Sequence, residues 1–256
     1  MNIVTRNHLE RWADTTFSKS TLPHLVSRLI RATTPPSTKL NMSWGNSIYI
    51  GGWDGIVSCK EERAYVPLGI SSWELGTDAN CREKADRDYK KRKNNPQGVD
   101  PQNTTFVFVT PRLWTKKTEW IAAKKAEGHW KDVVAYDAID LEQWLDSAPA
   151  VDRWLASEKG IEACPFEGVM TTDEFWNEWS TSPSIILTPE CVTAGREPEM
   201  NQLRSMLQDK PTIKGIRAPS SNEALAFIVA AMRSQQDETT DRFHAQTLII
   251  DSEANF

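Results

Sequence analysis

The sequence predicts an α/β protein, with an α-β-β-β-α-β core over residues 1–149 followed by a smaller α/β unit over 184–256. Three observations predict it. Runs of β-branched and aromatic residues stand between glycines and turn formers within 47–59, 69–75, 104–109 and 132–136. Polar stretches of helical length separate the later runs, as the crossovers of a parallel sheet require. Beyond residue 183, short apolar runs alternate again with amphipathic stretches, so the second unit is expected to be parallel as well.

Thr5 suits the N-cap of a first helix reaching about Asp14, with Leu9 and Trp12 three apart on one face. A second helix is expected over Leu22–Ala32, where Leu25, Leu29 and Ile30 keep helical spacing. Thr33 to Thr38, centred on Pro35-Pro36, is a loop. Ser47–Gly51, Gly55–Cys59 and Gly69–Leu75 read as strands, with a turn or bulge over Gly51–Gly55. A polar helix follows over Asp78–Lys93. Thr104–Val109 is nearly continuous in apolar character, as a strand covered on both faces is. A helix over Lys116–Glu127, a strand over Asp132–Tyr136 and a short helix capped by Asp140 complete the first domain.

Residues 150–183 read as a helical linker carrying Trp154, Trp176 and Trp179. Strands are then expected at Ser184–Leu187, Thr212–Ile216 and Thr247–Asp251, with helices at Glu197–Leu207 and Asn222–Arg233. The chain stops five residues after the last of these strands, where a covering helix would follow. It is therefore read as the front of a longer protein.

Composition excludes several classes. The longest apolar run, Ala224–Met232, has nine residues, against the roughly 20 that a membrane helix needs. No signal-peptide core follows Met1, so a cytoplasmic protein that does not contact membranes is expected. The four cysteines (Cys59, Cys81, Cys164, Cys191) form no Cys-x-x-Cys pair and are expected to be reduced, mostly buried thiols. Histidines are equally scattered, so any catalytic metal must be held by carboxylates. The net charge of −5 is uneven: residues 1–150 hold 21 Lys+Arg and 18 Asp+Glu, leaving −8 on the remainder.

Three residues in the first domain have the chemistry of a metallonuclease. Asp54 stands at the start of the second strand, Glu74 on the third and Lys84 on the helix after it. Neighbouring strands lie about 4.8 Å apart, so carboxylates on them can converge on one cation. Magnesium takes hard oxygen ligands and needs only one or two carboxylates besides water and phosphate. A nearby ammonium can orient water or offset charge on phosphorus. Singly, each has an ordinary role: a turn aspartate, a strand glutamate, a helix-face lysine.

Gly51-Gly52-Trp53-Asp54-Gly55, Trp73-Glu74-Leu75-Gly76-Thr77 and Lys84 to Arg92, in this element order, resemble the PD-(D/E)XK superfamily with its restriction-endonuclease-like core, in its Mrr-like branch. They look like the nuclease-like domain at the front of bacterial STAND-type NTPases of antiphage defence, a resemblance over about residues 1–150. The resemblance implies a Mg2+-dependent (or Mn2+-dependent) endodeoxyribonuclease, acting on DNA, within a homo-oligomer and joined to a downstream NTPase region. It implies catalytic roles for Asp54, Glu74 and Lys84, metal binding by Asp54 and Glu74, and Glu10 as an extra ligand. The family's usual lysine stands two residues after the glutamate. Here that position is Gly76, and Lys84 fits members that carry the lysine on the next helix.

Nucleic-acid contact is expected at Lys90, Lys91, Arg92 and Lys93. The stretch Arg82–Lys93 holds seven basic and three acidic residues, and Arg112–Lys131 holds six and two. Such clusters give sequence-independent affinity for phosphates. Trp53 and Trp73, beside the two carboxylates, are expected to point away from them and hold them in place. In the second unit, Ile216 to Glu223 lacks the glycines and lysine of a phosphate-binding loop, so no ordinary ATP site is expected there. The alternatives to a nuclease are a catalytically inactive nuclease fold that binds nucleic acid and an assembly module.

Overall fold

Alternating apolar runs and turn residues build a five-stranded mixed sheet in the first part of the chain. The computed structural model describes residues 3–42, 52–164, 167–182, 186–208, 213–234 and 238–250. The chain divides into two units, Met1–Phe166 and Glu167–Phe256.

In the first unit β1 (Lys39–Met42), β2 (Gly55–Cys59), β3 (Gly69–Leu75), β4 (Thr104–Val109) and β5 (Asp132–Tyr136) lie in sequence order across the sheet. β1, β2 and β3 are antiparallel neighbours, whereas β3, β4 and β5 are parallel. Strands β2 to β5 have the bounds that composition predicts. β1 was not foreseen, and the expected strand at Ser47–Gly51 lies outside the described residues. Every residue of β4 is buried, as its unbroken apolar run requires of a strand covered on both faces.

Helices α1 (Arg6–Trp12) and α2 (Ser18–Thr33) precede the sheet. Helix α2 starts a turn earlier than its apolar spacing suggests and tolerates Pro23 in its second turn, close to where a missing N–H costs least. Helices α3 (Cys81–Asn94) and α4 (Lys117–Ala126) make the two crossovers. Their Ala85, Tyr89 and Trp120 pack with Phe106, Phe108, Trp130 and Val133 in one core cluster. Trp73, Tyr136 and Trp144 form an aromatic group of their own. Trp144 belongs to α5 (Ala138–Asp146), whose N-cap is Asp137 and not Asp140. Asp137 accepts the N–H groups of Ile139 and Asp140, while the Asp140 carboxylate reaches back to the Asp137 N–H at 2.8 Å. Helix α6 (Pro149–Ala156) ends the regular part of this unit.

The expected helical linker is not one segment. After α6 the chain turns through Gly160, at φ 85°, and the second unit begins with β6 (Val169–Thr171). Helices α7 (Thr172–Thr181), α8 (Pro189–Thr193), α9 (Glu197–Gln208), α10 (Ser221–Arg233) and α11 (Glu238–Gln246) follow, then β7 (Leu248–Ile250). β7 pairs antiparallel with β6, with Val169 opposite Ile250, which corrects the expected parallel unit. Ile186, Leu187 and residues 213–216 carry no strand, and Ile213 is fully exposed. Short apolar runs signal strand tendency but not a partner. Phe175, Trp176, Ala226, Val229, Ala230 and Ile249 form this unit's core.

Among the described residues no helix is long and apolar enough to cross a membrane. Cys59 and Cys81 are buried, but Cys164 and Cys191 are exposed, against expectation.

Candidate functional site

The antiparallel register of β2 and β3 sets Gly55 opposite Trp73, and one step further sets Asp54 against Glu74. Gly52, just upstream, has φ 152°, a conformation open to glycine at no steric cost. Asp54 Oδ2 accepts the Leu75 N–H at 2.7 Å, which holds the carboxylate across the gap to β3. Glu74, only 3% exposed, neighbours Phe108 on β4 and so lies on the sheet face that α3 covers.

Helix α3 contributes a row of charges. Lys84, Asp88 and Arg92 follow at i, i+4 spacing, which puts them on one face. Ala85 and Tyr89, next to them in sequence, are packed in the core with Phe106 and Phe108 and press this row toward the sheet. Lys84 Nζ lies 2.5 Å from Asp88 Oδ2. Arg92 is almost fully buried and donates to Glu74 Oε1, the Gly52 carbonyl and Gln97 Oε1. Its guanidinium stands 4.6 Å from the Trp53 ring centroid, a cation–π contact.

Asp54, Glu74, Lys84, Asp88 and Arg92 line one open cavity of about 380 Å³, with Lys19, Leu22 and Pro23 of α2 on its wall. The three residues singled out in the sequence are thus brought together. Asp88 and Arg92 complete the set. The signal for them was the i, i+4 repeat of charges beside Ala85 and Tyr89, which marks a charged row next to a buried one.

Three carboxylates here face two cations, and burial governs the titration of Asp54 and Glu74. Burial pushes the Glu74 carboxyl up to about 8; the Asp54 charge adds to this and the Arg92 guanidinium opposes it. Burial also raises Asp54, against the Leu75 N–H and the Lys84 charge. A hard divalent cation would relieve this repulsion, and Asp54 with Glu74 supplies the oxygen donors that magnesium takes. The donor set therefore fits. Among the described residues no three His, Cys, Asp or Glu side chains form a group able to hold a metal. The protein's share of a ligand set is then two carboxylates, since Asp88 is engaged by Lys84.

The remaining expected residues are placed elsewhere. Glu10 is not at this cavity. Its carboxylate accepts the Leu113 N–H at 2.6 Å and pairs with Arg112 at 3.7 Å, so it anchors the β4–α4 connection. Arg92 is buried under Glu74 and is no surface contact for DNA. Lys93 pairs with Glu127 at 2.7 Å. Lys90 and Lys91 are exposed, and of these Lys91 lines the cavity. Most of the second basic stretch is spent internally: Lys117 on Asp137 and Asp140, Lys124 on Asp86 and Glu127, Lys125 on Asp132. Trp73 points away from the carboxylates, as alternation predicts. Trp53 does not, because it precedes β2 and the alternation does not reach it; it lies against Arg92.

A larger cavity, about 510 Å³, belongs to the second unit and is lined by Arg196, Arg217, Glu223 and Phe227, among others. Ser220 is the N-cap of α10, and residues 216–223 around it contain no lysine and no glycine. No protein-family model, curated protein or solved structure matches this chain.

Proposed function

We propose that residues 1–149 are a metal-dependent DNA endonuclease effector domain, which hydrolyses phosphodiester bonds with Mg2+ or Mn2+. The observation that carries this reading is the meeting of Asp54, Glu74 and Lys84 in one open cavity. Asp54 and Glu74 would hold the cation. Once bound, it supplies a water of lowered pKa and charge stabilisation on the phosphoryl oxygens. The Leu75 N–H and the Arg92 guanidinium fix the two carboxylates in place. Asp88 holds the Lys84 ammonium in the same cavity, where it can orient the attacking water and offset negative charge developing on the phosphate. The resemblance to PD-(D/E)XK domains supports the wider context, a bacterial antiphage defence protein that works as a homo-oligomer with a downstream NTPase region.

Incubation of the purified protein with supercoiled plasmid and Mg2+ or Mn2+ tests this directly. Nicking that disappears in Glu74→Ala and in Lys84→Ala supports the site. Cutting that persists unchanged in Glu74→Ala rules it out.

One observation favours a second reading, a nuclease fold that binds nucleic acid without cutting it. Arg92 already neutralises Glu74, and no third acidic ligand joins the pair. Mn2+ titration followed by electron paramagnetic resonance separates the two. Binding lost in Asp54→Asn supports the nuclease, and no binding at all supports the second reading.

A further inference from the structure

The start of α2, an element to which sequence motifs assign no role, lines the same cavity as α3. Lys19 is exposed there on α2, and Lys91 is exposed on α3. Neither ammonium has an ion-pair partner among the described residues. They differ in this from the other basic residues of the lining. Lys84 is bound to Asp88 and Arg87 to Asp78. Arg92 is buried under Glu74. Two unneutralised cations thus stand at the cavity that holds Asp54 and Glu74. That arrangement attracts a polyanion to the mouth. Among the described residues the lining holds no aromatic side chain for an unpaired base to stack on.

From this we infer that Lys19 and Lys91 form a two-sided phosphate clamp that seats a polynucleotide backbone across the cavity, without reading its bases. The inference rests on the nuclease reading of the same cavity and names how its substrate is held. Each lysine takes a phosphate of the same backbone, Lys19 from α2 and Lys91 from α3. Sequence-independent DNA affinity then depends on Lys19 as much as on Lys91.

The test uses the full chain, EDTA to prevent cutting, and short fluorescein-labelled DNA duplexes of two unrelated sequences, read by anisotropy between about 50 and 200 mM salt. Both duplexes are expected to bind alike. Lys19→Gln and Lys91→Gln are each expected to weaken binding about fivefold, and the double variant to reduce the slope of log affinity against log salt by about 2, as loss of two phosphate contacts does. Lys60→Gln, at the far end of β2 from Asp54, is expected to bind like the unaltered protein. Lys19→Gln with unaltered affinity and slope overturns the clamp, whatever the plasmid assay gives. Strong preference for one duplex sequence overturns it too. Loss of binding in Lys19→Gln, from a protein that cuts with neither Mg2+ nor Mn2+, upholds the clamp and removes the nuclease.

Discussion

The side chain of Lys84 occupies the space that a side chain at Gly76 would need. A Cβ built on Gly76 would lie 2.7 Å from Lys84 Cγ, 3.1 Å from Lys84 Cε and 3.2 Å from Phe108 Cζ. The strand position two residues after Glu74 is bare because a lysine from the next helix crosses it. Glycine at 76 and lysine at 84 are thus two halves of one arrangement. Gly76→Ala is expected to displace the flexible Lys84 without unfolding the protein and to lower metal-dependent cutting about tenfold. Lys84→Ala should cost about a hundredfold, the scale of removing one charge-stabilising donor. Gly76→Lys in the Lys84→Ala background should restore part of the activity. Full activity in Gly76→Ala would show that the contact has no bearing on catalysis.

Arg92 is a structural cation. Removing it as Arg92→Ala leaves the Glu74 carboxylate buried without its partner and frees the Gly52 carbonyl. Breaking a buried pair from one side typically costs about 3–5 kcal/mol. Urea denaturation at about pH 9, above the raised Glu74 value, should show a loss of that order, and far less in Arg92→Ala/Glu74→Gln, where no buried charge is stranded. Equal losses in the single and double variants would contradict this account of the pair.

Glu74 also makes stability depend on pH. Its carboxyl is raised to about 8 by burial and by the Asp54 charge. The native state therefore holds the proton more tightly than the unfolded chain. The resulting stability is complete below the ordinary carboxyl value near 4.5 and is lost as pH rises through about 8. In metal-free buffer, melting temperatures from pH 5 to 8.5 should fall more steeply for the unaltered protein than for Glu74→Gln. Because a divalent cation takes the ionised form, adding Mn2+ should narrow that difference at pH 8. Parallel curves for the two proteins would contradict the shift.

Glu10 should be dispensable for metal. It lies against Arg112 and the Leu113 N–H, away from Asp54 and Glu74. Glu10→Gln is expected to leave Mn2+ affinity unchanged and to cost under about 1 kcal/mol, since the pair is partly exposed. A marked drop in Mn2+ affinity would return Glu10 to the ligand set.

Strands β2 to β5 were legible residue by residue because each is a compact β-branched or aromatic run cut off by glycine, proline or polar residues. Asp54 and Glu74 were legible as neighbours for the same reason, since strand order and period 2 bring them side by side. In the second unit the helices at Glu197–Leu207 and Asn222–Arg233 and the last strand were legible, but the strand pairing was misread. Thr212–Ile216 and Leu248–Ile250 look alike as short apolar runs, and only the latter found a partner, in Val169–Thr171. The basic stretch Lys90–Lys93 looked like one surface, yet helical rotation buries Arg92 and exposes Lys90 and Lys91.

By itself the sequence determined strands β2 to β5 with the helices between them, the α/β class and the residue types of the site, because local periodicity and turn chemistry act over a few neighbours. Tertiary structure alone decided which charges meet. Helix α3 had to pack on the sheet before Lys84 could cross Gly76, Arg92 could reach Glu74, and Lys19 of α2 could face the same cavity. Such pairings depend on which faces become buried against each other, and no local stretch of chain specifies that.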